Sequence, residues 1–136
     1  EREILVIVDM QRVKQECEKL GEVWKALSKL AAELKDHGLK VPPDIYTSLR
    51  GTGGLIDLCK SHPKLEDLTP GDIDAHDGFC VGCCGTDIVA RIKCELRNVE
   101  DLLIIRATND LGSKYAVRFR ERTKKAWGPV EAMAAL

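Results

Sequence analysis

Residues 6–34 read VIVDMQRVKQECEKLGEVWKALSKLAAEL. Val6, Met10, Val13, Cys17, Leu20, Trp24, Leu27, Ala31 and Leu34 recur at alternating steps of four and three. That rhythm keeps side chains on one stripe of an α-helix, so the segment predicts one long helix against which the later segments pack. With Met10, Cys17, Trp24 and Ala31 at position a, and Val13, Leu20, Leu27 and Leu34 at d, Val23 and Leu30 fall where a two-stranded coiled coil wants charge. The wider stripe predicts a globular bundle instead. Gly21 interrupts it at a cost of about 1 kcal/mol relative to alanine, and a break into two helices there is an alternative. Gly38 suits the residue just past the helix end.

Downstream, Pro43 and Asp44 suit the first turn of a second helix, and Ile45, Leu49, Thr52, Ile56 and Cys59 extend it to about Ser61. Gly51, Gly53 and Gly54 within it read as a close helix contact or a kink. The alternative is an anion-binding glycine loop at a helix start, although the lysine and spacing of a P-loop are missing. Pro63 ends this helix, and an irregular Cys-, Asp- and Gly-rich loop occupies about 63–85. A third helix, capped by Thr86-Asp87, buries Ile88, Ile92, Leu96, Val99, Leu102 and Leu103. It turns Arg91, Lys93, Glu95, Arg97 and Glu100 outward. Leu102–Ile105 is apolar all round, which predicts a central position. Gly112 ends or interrupts it. Tyr115, Phe119 and Ala126 mark a last helix that Gly128-Pro129 stops. The expectation is a single all-α domain over 1–136, a four- to five-helix bundle built on the long N-terminal helix.

The 136 residues carry a net charge of −1 and 4% aromatic residues, which argues against a nucleic-acid or membrane surface. The apolar run at the N-terminus is too short to span a membrane and no small-residue cleavage site follows it. A cytoplasmic protein is therefore expected. Six cysteines in a reducing compartment are thiols, metal ligands or redox groups rather than staples.

Chemistry concentrates between Gly71 and Gly85. Cys80 and Cys83 form a C-x-x-C pair followed by Cys84, a spacing with which a glycine-rich turn can place two thiolates on one tetrahedral metal. His76, or Cys59 from the end of the second helix, would complete a zinc or iron site with Cys80, Cys83 and Cys84. Cys59 and His62 are also close enough in sequence to share one ion. The same C-x-x-C could exchange disulfides, but Cys80 does not open a helix. The remaining reading is of inert thiols packed as small hydrophobes, as expected for Cys17 and Cys94 beside apolar faces. Asp72, Asp74 and Asp77 fail the EF-hand order because His76 stands where an acid is needed. His37 and His62 read as solvated caps. A Cys80 nucleophile with His76 as base has no fixed geometry in a loop. No serine elbow and no HExxH occurs. An enzyme is not expected. The expected function is a self-associating or protein-binding helical module, a homodimer using part of the first helix.

Two resemblances accompany these readings. Ile4–Val8 followed by Asp9-Met10-Gln11 resembles the first strand of isochorismatase-type hydrolases, and the match stops there. Glu22-Val23-Trp24 through Leu34, then Gly38, Val41-Pro42, Leu49-Arg50 and Leu55-Ile56, resemble a family of uncharacterised archaeal helical proteins. Val99-Glu100, Leu102, Gly112 and Tyr115-Ala116 continue that pattern, so it spans about two thirds of the chain. The departures are the Gly51–Gly54 cluster and the cysteines. This resemblance implies helical architecture and a cytoplasmic archaeal setting, with no activity to carry over.

Overall fold

The computed structural model describes residues 2–61 and 88–134. These form four helices and no strand: α1 (Arg2–Asp36), α2 (Pro43–Ser61), α3 (Ile88–Leu111) and α4 (Ser113–Ala134). The all-α expectation holds for the described residues. Residues 4–11 are helical within α1, so the strand beginning a hydrolase sheet is not there. The proposed Thr86-Asp87 cap lies outside the described residues.

α1 packs against all three other helices, α2 also against α3, and α3 against α4. Cys17, Leu20, Val23, Leu27, Leu30, Ala31 and Leu34 of α1 are fully or almost fully buried. Burial of Val23 and Leu30 with the narrower stripe is what a bundle requires and a two-stranded coil forbids. Gly21 does not break the helix. It is buried, with the Lys60 ammonium lying over it.

The α1–α2 seam has a defined register. The Trp24 indole lies on Gly53, and Trp24 Nε1 donates to the Leu49 carbonyl at 2.6 Å. A Cβ added at Gly53 would stand 2.9 Å from Trp24 Cε2. Gly53 of the glycine cluster is therefore a close helix contact. Gly21 meets Ile56 and Lys60 one turn away, which makes the two helices antiparallel. The same logic orients α4 and α3, since Trp127 reaches Glu100 and Glu131 reaches Arg97. Ser48 with Glu95, and Asp44 sharing a groove with Leu102, do so for α2 and α3.

Both tight ends use glycine at positive φ. Gly38 (φ 81°) follows α1, and its N–H bonds the Lys35 carbonyl at 2.9 Å while that of Leu39 bonds Leu34 at 3.0 Å. That reciprocal pair is a Schellman cap. Gly112 (φ 94°) ends α3 and alone separates it from α4.

Two expectations need correction. Gly128-Pro129 does not stop the last helix, which continues to Ala134. A proline inside a helix costs about 3 kcal/mol, because it lacks an N–H and crowds the carbonyl four residues back. Val130 and Met133 are buried beyond it. Each contributes about 1.5–3 kcal/mol on burial, enough to offset that cost. Arg12 Nη2 also donates to the Met133 carbonyl at 3.1 Å. Second, Leu102–Ile105 is not central: Leu103 and Ile104 are buried, but Leu102 and Ile105 are 51% and 56% exposed.

Gly53→Ala is expected to destabilise the fold by about 1–3 kcal/mol despite the better helix propensity of alanine, because the indole cannot retreat from its bonded carbonyl. Urea denaturation checks this. In a Trp24→Leu background the same substitution should be neutral or stabilising.

Candidate functional site

Of the five ligands expected of a metal site, Cys59 alone falls in the described part. His76, Cys80, Cys83 and Cys84 lie outside the described residues, as does His62. Cys59 occupies the last turn of α2 and is 1% exposed. It turns into the core cluster that also encloses Cys17 of α1. The neighbouring Cys17 thiol lowers the proton affinity of Cys59. Cys59 in turn, followed by burial, pushes Cys17 far above the ordinary thiol range. Among the described residues no three His, Cys, Asp or Glu side chains converge as metal ligands do. Cys94 is half-buried on α3.

The Gly51–Gly54 segment lies inside α2 rather than at its start. Its N–H groups face carbonyls four residues back, so no backbone cradle for an anion exists there. A groove of about 290 Å³ runs beside it, where Gly21, Trp24 and Gly53 form part of the lining with Lys25, Arg50 and Lys60.

Three buried charged side chains were expected on the outer face of α3: Arg91, Glu95 and Glu100. Glu95 accepts from Ser48 Oγ at 2.7 Å, and Glu100 accepts from Trp127 Nε1 at 2.5 Å. The Arg97 guanidinium covers the Trp127 ring at 3.7 Å and bonds Glu131 at 2.8 Å. The paired acids had no legible partners in the sequence, because Ser48 and Trp127 lie 47 and 27 residues away.

The opposite seam is closed by Glu33 of α1. Arg122 Nη1 and Nη2 donate to its two oxygens at 2.9 and 3.0 Å, and the Tyr115 hydroxyl adds a third bond at 3.1 Å. Arg122, more than any other neighbour, holds the Glu33 carboxyl below the usual carboxylate range. Burial and then the Glu33 contact raise Tyr115. His37 is exposed, as a solvated end residue should be, and stands edge-on to the Tyr115 ring at 5.5 Å.

Two outward faces remain. On α3, Leu102 and Ile105 project beside a groove of about 410 Å³ shared with α2, whose apolar lining is Ile45, Val99 and Leu102 and whose acids are Asp44, Glu95 and Asp101. On α4, Val117 is 53% exposed, with Lys114, Arg118, Arg120 and Lys124 close along the helix and Glu121 one turn on. By contrast, the α1 stripe expected to self-associate is covered within the chain from Cys17 to Leu34. No helix among the described residues is long and apolar enough to cross a membrane.

No protein-family model, no curated protein and no solved structure matches this chain.

A carboxylate whose folded-state proton affinity is depressed adds stability above its unfolded pKa, about 4.3 for glutamate, and loses it as pH falls through the lower folded value. Glu33→Gln should therefore lower stability at pH 7 by less than about 1 kcal/mol, since Arg122 is well exposed. The difference from wild type should vanish at acid pH in denaturant titrations.

Proposed function

We propose that this chain is a non-enzymatic helical module that works by protein contact, and that its partner is a further copy of itself. The observation that carries this reading is the pair Leu102 and Ile105, each more than half exposed on one face of α3. They are surplus to the core formed by the described residues, because Leu103 and Ile104 fill the core side of that helix. Exposed aliphatic side chains beside an apolar groove are the usual mark of a contact surface.

Charge complementarity favours a copy as the occupant. The α3 groove has an acidic rim, from the exposed Asp44 and Asp101, with the buried Glu95 in its wall. On α4, four basic side chains lie close to Val117 along the helix. Seating α4 of one copy in the α2–α3 groove of another would cover both sets of apolar atoms and set unlike charges together. The contact joins two different patches, so made once per pair it builds a ring or an open chain, and made reciprocally it closes a two-fold dimer.

Sedimentation velocity over a wide concentration range tests this. A rising mean mass is expected, with association weakened by salt and abolished by Leu102→Asp or Val117→Asp. A single species at the monomer mass of 15.1 kDa at every concentration would overturn it.

A further inference from the structure

We propose that the groove between α1 and α2 is a binding site for a small sugar phosphate. The antiparallel register sets its parts in order along the seam. The Lys60 ammonium lies over Gly21 at one end, the Trp24 indole on Gly53 holds the middle, and Lys25 and Arg50 stand beyond it. Asp57 lines the stretch nearer Lys60. The groove holds about 290 Å³, close to the floor of the roughly 300–1,000 Å³ usual for small-molecule sites, so it suits a compact ligand. Arg50 and Lys60 are ten residues apart on α2, about 15 Å of helix, which is longer than a bare phosphate needs.

Each part offers one kind of contact. Arg50 donates from Nη2 to Thr47 Oγ1 at 3.4 Å, and the rest of its fork is open to an oxyanion among the described residues. A guanidinium grips a phosphate through two parallel bonds. Lys25 pairs with Glu22 at 3.2 Å, with both side chains well exposed, and such a pair is weak enough to be exchanged for a dianion. The phosphate therefore belongs at this end. The Trp24 N–H is committed to the Leu49 carbonyl at 2.6 Å, so the half-buried ring turns only carbon to the groove. The C–H face of a sugar packs on the electron-rich face of such a ring. At the far end, Lys60 and Asp57 have no hydrogen bond or ion pair among the described residues. One donates and the other accepts, which matches what sugar hydroxyls require. The Lys60 position is built into α1. A Cβ at Gly21 would stand 3.2 Å from Lys60 Nζ. Alanine is the better helix former there, but it would crowd the ammonium off the α1 backbone. The α2–α3 groove lies on a different face of α2, so this site does not depend on self-association.

Isothermal titration calorimetry of the full chain with ribose 5-phosphate, glucose 6-phosphate and glycerol 3-phosphate tests this, with inorganic phosphate and ribose as the separate halves of the ligand. At least one ester should bind once per chain and about tenfold or more tighter than inorganic phosphate, with ribose weaker still. The indole N–H signal of Trp24 should move in NMR spectra on binding, while that of the buried Trp127 stays. Arg50→Gln should weaken the best ester by about tenfold. Gly21→Ala should weaken it severalfold with no loss of thermal stability. Lys125→Gln removes the same charge from the α1–α4 groove and should leave affinity unchanged, as should Leu102→Asp. Binding by none of the esters, or inorganic phosphate binding as tightly as the best of them, would overturn the proposal. So would undiminished binding by Arg50→Gln, or an equal loss in Arg50→Gln and Lys125→Gln, which marks attraction to overall charge.

Discussion

The indole of Trp24 lying on a bare backbone at Gly53 is the constraint from which the remaining packing follows. Its N–H, bonded to the Leu49 carbonyl, fixes the ring in rotation as well as distance. A helix pair pinned at one such point has little freedom to slide. The turn toward the end of α2 then places Ile56 and Lys60 against Gly21. The half-buried tryptophan is thus less a filler of volume than a spacer. Close-packed interiors transmit a shift of a few tenths of an ångström rather than absorb it.

Polar closure complements that spacing on the other side of the bundle. Glu33, Arg122 and Tyr115 join the end of α1 to α4, and Glu100 with Trp127 joins α3 to α4. Such pairs contribute modestly to stability where they face water. Their larger effect is on which arrangement is chosen, because each needs a specific register to satisfy a buried or half-buried acid. An alternative packing of the same apolar faces would leave Glu95 and Glu100 without Ser48 and Trp127, at about 1–3 kcal/mol for each unsatisfied group.

The helical class was readable because the three-and-four rhythm records which side chains share a face. The start of α2 at Pro43 and the glycine ends at Gly38 and Gly112 were readable for local reasons: a fixed or permissive φ leaves few alternatives. What misled were local signals overruled from afar. Gly128-Pro129 is a stop signal by propensity, but Val130 and Met133 continue the buried face. Arg91, Glu95 and Glu100 read as surface by residue type, but burial of an acid depends on a partner distant in sequence. The run at Leu102–Ile105 could not be divided into inward and outward residues without knowing where α1 lies. For the chemistry, Cys59 was legible as a cysteine at a helix end. Cys17, 42 positions earlier, was legible as a core thiol from its place on the apolar stripe.

Gly112 alone between α3 and α4, and the short connection 37–42 between α1 and α2, make each of these pairs a local hairpin. Low contact order within each pair lets it form on the fast timescale typical of helical proteins. Closure of α1 on α4 is different in kind, since Arg12 and Met133 are 121 positions apart. The loop entropy of that step is larger than that of closing either hairpin. Amides beside the α1–α4 seam would then exchange with solvent hydrogen through openings that leave each hairpin intact.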